Sequence, residues 1–199
     1  NGSNDDLHQS MKGAKKLAEI MSQIYSFDGS QAAAPEELDE SAVYMFKNVN
    51  SGGYMEFGGS AESGANVRQY VGSLDDMASK LWKVKSAGEG SYFITPLASS
   101  DIYLDVAGAK STNGQNIGLY VFNGNDNQKF TFTKNDDGSY KIRTKISGGK
   151  SAVETADGSS ANGANVQQWE VNGANCQDWE ISISDIRLLG RLTKTVAVK

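Results

Sequence analysis

Two patterns of hydrophobic and polar residues divide the chain, and the first is confined to its N-terminal part. Over residues 10–27 the apolar positions, including Met11, Ala14 and Leu17, recur at three- and four-residue steps, and Ser10 is placed to cap the first turn. This spacing predicts an amphipathic helix. Because an isolated helix of this length is only marginally stable in water, its apolar stripe has to pack against another surface.

The second pattern begins at Val43, where short β runs alternate with Gly, Asn and Ser. Between the two patterns, residues 28–42 lack strand character, and their acidic composition predicts a linker or a loose wrap. Beyond the last β run, residues 185–199 form a basic and apolar tail. The pattern leaves open whether this tail is an extra strand or the start of a further domain.

The β region contains an internal repeat, which is the main evidence for its fold. Five markers recur in one order with a period of about 49 residues. They are a tyrosine (Tyr44, Tyr92, Tyr140), an acid (Glu56, Asp105, Glu154), an asparagine (Asn66, Asn116, Asn165), an aromatic residue at a strand end (Tyr70, Tyr120, Trp169) and a second aromatic residue (Trp82, Phe130, Trp179). Four short strands per repeat give twelve strands, which a closed threefold barrel with hairpin caps accommodates without free edges.

The sequence therefore predicts an all-β domain, a β-trefoil of three repeats of about 49 residues, with an N-terminal α-helix and an acidic linker. The repeats span about residues 43–90, 91–138 and 139–184. A propeller also uses four-stranded units, but three blades are fewer than propellers have.

The composition narrows the choice of partner. The 199 residues carry a formal net charge of −5, with a pI near 4.9, whereas a nucleic-acid-binding surface needs a basic stripe. No apolar stretch approaches the length of a membrane span. Cys176 is the only cysteine, so no internal disulfide can form. A neutral partner is favoured, and no metal or cofactor is expected.

With these residues in place, the segment 43–183 resembles the ricin B-type β-trefoil, shared by lectins and family-thirteen carbohydrate-binding modules. In that family each repeat has an acid, an aromatic residue some fifteen positions later, as from Asp105 to Tyr120 here, and Asn-Gln shortly before a core aromatic. The resemblance implies sugar binding at two sets of residues. The middle repeat supplies Asp105, Tyr120, Asn127 and Gln128, and the third supplies Glu154, Gln167, Trp169 and Gln177.

These residue types suit the surface of a pyranose ring. An exposed Tyr or Trp covers the apolar C–H face of the ring. A carboxylate accepts charge-assisted hydrogen bonds from neighbouring hydroxyls, and an amide supplies both a donor and an acceptor.

The repeats are unequal as candidate sites. In the first repeat Arg68 and Lys80 depart from the family pattern, and a weak or lost site is expected. In the middle repeat Gly118 stands where the family often has a polar residue, and in the third Cys176 replaces the amide.

A structural interpretation stands beside the functional one. The side chains of Gln128 and Gln177 are suited to holding a hairpin turn. The second set of aromatic residues is expected in the core, and the three repeated tyrosines are expected either in the core or at the lip of the barrel.

The segment Asp5-Asp6-Leu7-His8, together with the predicted helix after it, resembles the last motif block of SGNH (GDSL-type) esterases. In that family an Asp-x-x-His block supplies two members of a Ser-His-Asp triad. The resemblance implies that His8 is the base and that Asp5 orients it. The nucleophile and oxyanion-hole blocks are absent from the sequence, so the chain as given is not expected to be an enzyme, whereas a longer parent protein would be one.

The leading hypothesis is a secreted, non-catalytic carbohydrate-binding module that targets a polysaccharide-active enzyme to plant cell-wall or similar glycans. The family resemblance implies galactose-, arabinose- or xylose-containing oligo- or polysaccharides as partners, and an adjoining catalytic domain. Two alternatives remain open. One is the C-terminal part of a carbohydrate acetyl esterase with Asp5 and His8 in its triad, and the other is a protein-binding trefoil that does not use Asp105 or Tyr120.

Overall fold

The architecture was obtained from a computed structural model, which describes residues 37–72 and 74–184. The predicted N-terminal helix, the Asp5 and His8 pair, most of the predicted linker and the 185–199 tail lie outside the described residues.

Strand formation follows from alternating polarity along each short run. In the strand Trp82–Gly88, Trp82 and Val84 are buried, whereas Lys83 is half-buried and Lys85 is exposed. Successive side chains of a strand point to opposite faces, so this alternation places one face on the core and the other toward water.

Twelve strands are found in the described residues. They are β1 (Val43–Asn48), β2 (Tyr54–Phe57), β3 (Val67–Tyr70), β4 (Trp82–Gly88), β5 (Ser91–Pro96), β6 (Ile102–Val106), β7 (Gln115–Val121), β8 (Phe130–Lys134), β9 (Tyr140–Thr144), β10 (Ser151–Thr155), β11 (Val166–Glu170) and β12 (Asp178–Ser184).

The helices of the described residues are all short 3₁₀ turns, and none is long and apolar enough to cross a membrane. They span Leu74–Lys80, Ala107–Ala109, Asp126–Gln128, Lys145–Ser147, Ala156–Gly158 and Asn175–Gln177.

Six strands close into a barrel. Antiparallel pairing runs from β1 to β4, β5, β8, β9 and β12, and β12 pairs with β1 to complete the ring. The remaining strands form three hairpins, β2–β3, β6–β7 and β10–β11, one from each repeat. Each repeat thus contributes two strands of the barrel and one hairpin, which confirms the predicted all-β trefoil.

The three hairpins interlock through the glycine that precedes each repeated asparagine strand. The backbone N–H groups of Gly64, Gly114 and Gly163 donate to carbonyls of the neighbouring hairpins over 2.8–2.9 Å. All three glycines have φ between 77° and 93°, a conformation that a residue with a side chain rarely adopts. The glycines recur in the repeat because this junction between hairpins needs that backbone shape.

The repeated asparagines also meet between hairpins. Asn66 donates its side-chain amide to Asn165 Oδ1, and Asn116 donates to Asn66 Oδ1, each over 2.9 Å. These bonds link all three repeats, which accounts for the asparagine marker in structural terms.

The core lies inside the barrel and beneath the hairpins. Trp82, Phe130 and Trp179 are fully buried there, as the sequence predicts. The indole N–H of Trp82 donates to Met55 O over 3.1 Å, and that of Trp179 donates to Val153 O over 2.9 Å. These equivalent bonds fasten the hairpins of the first and third repeats to the barrel.

The opposite end of the barrel is covered by the chain just before β1. Leu38 packs into the core, and its N–H donates to the Tyr92 hydroxyl over 3.3 Å. The Tyr44 hydroxyl donates to Asp39 O over 3.0 Å and accepts from Asp39 N over 2.6 Å. Burial of Tyr44 raises its pKa to about 12, so this hydroxyl remains protonated at neutral pH. Tyr44 is therefore a core residue.

Candidate functional site

The three repeated acids occupy equivalent places in the three hairpins. Glu56 lies in β2, Asp105 in β6 and Glu154 in β10, and all three carboxyl groups are buried. Their cross-strand partners are, in the same order, Arg68, Gly118 and Gln167. Because directly opposed residues of a β-pair present their side chains on the same face, this partner decides what each carboxylate meets first.

In the middle repeat the side-chain amide of Asn127 holds the acid in place. Asn127 Nδ2 donates to Asp105 Oδ2 over 2.7 Å. Gly118, opposite Asp105, has no side chain to extend over the carboxylate. Asn127 Oδ1 is buried and has no hydrogen-bond partner among the described residues. We call Asp105, Gly118, Asn127 and Tyr120 the middle site.

Gln128 lies beneath the middle site and also hydrogen-bonds Asp105 from there. Its side chain is fully buried, and Oε1 accepts from the N–H groups of Asn123 and Gly124 over 2.8 and 3.3 Å. Its Nε2 donates to Val121 O over 2.9 Å. These bonds hold the turn that carries Asn127, as the structural interpretation of the sequence expects.

Tyr120 supplies the aromatic wall of the middle site. It lies two residues beyond Gly118 in β7, on the same face of the hairpin, and it is 49% exposed. A tyrosine ring that is half open to water beside a held carboxylate is available to cover an apolar ligand face.

Burial raises the pKa of Asp105 above its ordinary value, although hydrogen bonds from Gln128 and Asn127 oppose part of that rise. The ionised carboxylate is therefore less favourable here than in water. Hydroxyl donors from a ligand would stabilise the charged form.

In the third repeat the acid is more fully paired. Gln167 Nε2 donates to Glu154 Oε1 over 3.0 Å, and Gln177 Nε2 donates to Glu154 Oε2 over 2.9 Å. Cys176, at the position of Asn127, has its sulfur 3.9 Å from Glu154 Oε2. We call these residues, with the 37% exposed Trp169, the third site.

In the first repeat, two basic side chains of the protein form ion pairs with the acid. Glu56 Oε1 accepts from Arg68 Nε over 2.8 Å, and Glu56 Oε2 accepts from Lys80 Nζ over 2.7 Å. Lys80 is only 2% exposed, and Arg68 Cζ and Lys80 Nζ lie 5.5 and 5.8 Å from the centre of the Tyr70 ring, respectively. Both oxygens of the buried carboxylate are already paired with cations, which gives the expected weakness of this first site a physical reason.

The structure thus brings together most of the residues singled out in the sequence. The middle set meets at one hairpin and the third set at another, with Gln128 and Gln177 as buried supports. Within residues 37–72 and 74–184, no group of three or more His, Cys, Asp or Glu is placed to hold a metal ion.

Sequence reasoning missed an aromatic cluster beside the middle site. Phe122 is 52% exposed, and its ring centre lies 5.1 Å from that of Phe93 and 4.9 Å from that of Tyr103. The available signal was the run Tyr120-Val121-Phe122, three large apolar residues where the equivalent run in the third repeat is Trp169-Glu170-Val171.

Comparison with known proteins agrees with this architecture. A family model described as "Ricin-type beta-trefoil lectin domain-like" matches residues 22–120, 80–169 and 126–189. No curated protein sequence matches the chain.

Solved structures give the same picture. ThreeFoil, a designed threefold-symmetric protein, is 30% identical, with a TM-score of 0.65, and the match covers 72% of this chain and 98% of ThreeFoil. The exo-β-1,3-galactanase 1,3Gal43A from Clostridium thermocellum is 28% identical, with a TM-score of 0.67, and the match covers 74% of this chain and 31% of that enzyme.

A ricin B-like lectin from Macrolepiota procera, solved in complex with lactose, shares the fold. It is 16% identical, with a TM-score of 0.60, and the match covers 73% of this chain and 98% of that lectin.

Proposed function

The chain belongs to the ricin-type β-trefoil lectin domain-like family, and from this we propose that it binds carbohydrate through its middle and third sites. The observation that carries the proposal is the middle site. There the buried Asp105 carboxylate is held by Asn127, faces no side chain at Gly118 across the hairpin, and lies on the same face as the half-exposed ring of Tyr120.

Each part of the middle site has a counterpart in a sugar. The ring of Tyr120 covers the C–H face of a pyranose, while Asp105 accepts hydrogen bonds from two neighbouring hydroxyls. Asn127 Oδ1, which has no partner among the described residues, accepts a further hydroxyl after a small rotation of the side chain. A shallow site of this kind gives roughly millimolar binding, or about −4 kcal/mol.

The third site offers a sugar the same types of group as the middle site, but fewer unoccupied hydrogen-bond acceptors. Gln167 and Gln177 already donate to Glu154, so a sugar has fewer unoccupied lone pairs to engage. Trp169 offers a larger ring than Tyr120, which offsets part of this loss through stacking. We therefore expect the third site to bind more weakly than the middle site.

For the sugar itself we propose galactose-containing oligo- or polysaccharides, with arabinose- and xylose-containing polymers as further candidates. The galactanase among the similar structures, and the lectin solved with lactose, support the choice of galactose. We further propose that the protein is secreted and brings a polysaccharide-active enzyme to plant cell-wall or similar glycans. The galactanase supports this link, because the matched trefoil is 31% of that enzyme.

A glycan and polysaccharide array tests the proposal, using the wild-type chain with Asp105→Ala, Tyr120→Ala and Trp169→Ala. For the short glycans on the array we expect Asp105→Ala and Tyr120→Ala to remove most binding and Trp169→Ala to remove a smaller part. Binding that survives all three substitutions would overturn the site assignment. No binding to any glycan, combined with capture of a protein partner that is insensitive to Asp105→Ala, would establish the protein-binding trefoil instead.

The esterase resemblance of Asp5 and His8 is a separate proposal about a longer parent protein. An aryl-acetate hydrolysis assay on this polypeptide tests whether the chain as given has that activity by itself. Turnover that His8→Ala abolishes would show that the chain is itself an enzyme.

A further inference from the structure

The exposed Phe122 packs against two buried aromatic rings beside the middle site. Its ring packs edge-on against Phe93, at an interplanar angle of 79°, and at a tilt of 50° against Tyr103. Phe93 and Tyr103 are themselves buried and packed edge-on against each other. A large apolar ring with fixed neighbours and half of its surface in water is a preorganised contact surface. We call these three residues the aromatic platform.

The platform continues the face on which the middle site lies. Tyr103 is the direct cross-strand partner of Tyr120, and the backbone N–H of Phe122 donates to Asp101 O over 3.0 Å, which extends the β6–β7 pairing by one step. Side chains two residues apart on a strand share a face and are separated by about 7 Å. Phe122 therefore follows Tyr120 at a distance comparable to the length of one pyranose unit in a glycan chain.

Only the middle repeat has this platform among the three described hairpins. The bond from Val171 N to Lys150 O in the third repeat is equivalent to the bond from Phe122 N to Asp101 O. Val171 therefore occupies the place of Phe122 in the third repeat, and Gly72 has that place in the first. The aromatic platform thus coincides with the one hairpin whose acid faces a glycine.

We propose that Phe122 forms a second subsite, which stacks on the sugar ring next to the one held by Asp105. This inference rests on the proposed sugar binding of the middle site. Phenylalanine has no hydrogen-bonding group, so the subsite selects for an apolar ring face in the second unit rather than for its hydroxyl pattern. The middle site would then recognise a glycan of at least two units.

The test compares affinities for methyl β-galactoside and for two disaccharides with terminal galactose, lactose and β-1,3-galactobiose, by titration calorimetry or ligand-observed NMR. For the wild-type chain we expect at least one disaccharide to bind about fivefold tighter than the monosaccharide, which matches the usual gain from one aromatic contact. Phe122→Ala should reduce that ratio to about one, and Phe122→Leu, which keeps apolar area without the ring, should reduce it in part. Val171→Ala is the matched control at the equivalent place in the third repeat, and it should keep the wild-type ratio.

The outcomes separate this inference from the function on which it rests. Equal affinity for the monosaccharide and both disaccharides, or a ratio that Phe122→Ala leaves unchanged, would overturn the second subsite while leaving sugar binding intact. Failure of the wild-type chain to bind any of the three sugars or any glycan on the array would overturn the proposed function, and the subsite with it. Circular dichroism and thermal unfolding of each variant establish that the comparison is made on folded protein.

Discussion

Asn127 donates its side-chain amide to Asp105 over 2.7 Å, and both side chains are buried beside a glycine. The carboxylate is thus held in place, and no Lys, Arg or His among the described residues forms an ion pair with it. Its pKa is raised by burial, which means that the folded protein carries the Asp105 charge at a loss of stability. A group retained in this state is better explained by binding than by folding.

Substituting Asp105 by Asn should separate the contribution of its charge to sugar binding from its contribution to folding stability. An amide keeps the shape and accepts the Asn127 hydrogen bond, but it removes the charge, so we expect sugar affinity to fall by about tenfold or more. The melting temperature at pH 7 should equal or exceed that of the wild type. Calorimetric titration with galactosides and thermal unfolding check both parts, with Asp136→Asn as an exposed control.

The sign of the pH dependence follows from the raised pKa. Between the ordinary aspartate pKa and the raised value, the folded state holds the Asp105 proton more tightly than the unfolded state does. The free energy of unfolding of the wild type, measured relative to Asp105→Asn, should therefore fall as pH rises through this interval and stay constant above it. A wild type that gains stability over the variant with rising pH would contradict the assignment.

In the first repeat we expect the acid to stabilise the fold through its ion pairs, in contrast to Asp105, whose charge lowers stability. Lys80→Met leaves the buried Glu56 carboxylate with one fewer cation, and we expect a loss of about 3 kcal/mol in the free energy of unfolding, the usual effect of removing one partner of a buried pair. Glu56→Gln combined with Lys80→Met should recover part of this loss. Urea denaturation measures each value.

An exposed ion pair provides the control for that comparison. Lys47 and Glu180 are 3.0 Å apart with half-exposed side chains, and Lys47→Met should lower stability by about 1 kcal/mol or less. If the two lysine substitutions had equal effects, the buried pair would not be holding the first hairpin.

The fold could be predicted from sequence because its causes are local and repeated. Tyr44, Tyr92 and Tyr140 mark three equivalent strands, and the glycines before each asparagine strand mark a backbone shape that needs positive φ. Each marker is a residue type that the local backbone or packing of one short segment requires, so the same type occurs in every repeat. The local pattern around Leu38 predicts only a linker or a loose wrap, because the contact of Leu38 with the core joins segments far apart in sequence.

The candidate sites were only partly predictable for the same reason. The family resemblance assigned Asp105, Tyr120 and Asn127 to one site, and all three lie within one repeat. The aromatic platform was missed because Phe93 comes from the barrel strand β5, and nothing in the local pattern links it to Phe122.

The thiol of Cys176 should be poorly reactive in the folded protein. Burial raises its pKa, and the nearby Glu154 charge raises it further, so little thiolate is present at neutral pH. We expect labelling by a disulfide reagent at pH 7.5 to be at least about tenfold slower than in urea-unfolded protein. Fast labelling of the folded chain would show that the third site is more open than its hydrogen bonds indicate.

Two unequal sites on one domain make a final prediction about polymers. A soluble galactoside should bind with a stoichiometry of two, falling to one in Asp105→Ala and in Trp169→Ala, and to zero in the double variant. For a galactose-containing polysaccharide, the second contact is made within a complex already formed, so its gain comes from effective concentration rather than from new interactions. Each single variant should therefore weaken polymer binding by about tenfold or more. The affinity of its remaining site for the soluble galactoside should change much less. If Trp169→Ala left both the stoichiometry and the polymer affinity unchanged, the third site would not bind sugar, and the middle hairpin alone would account for recognition.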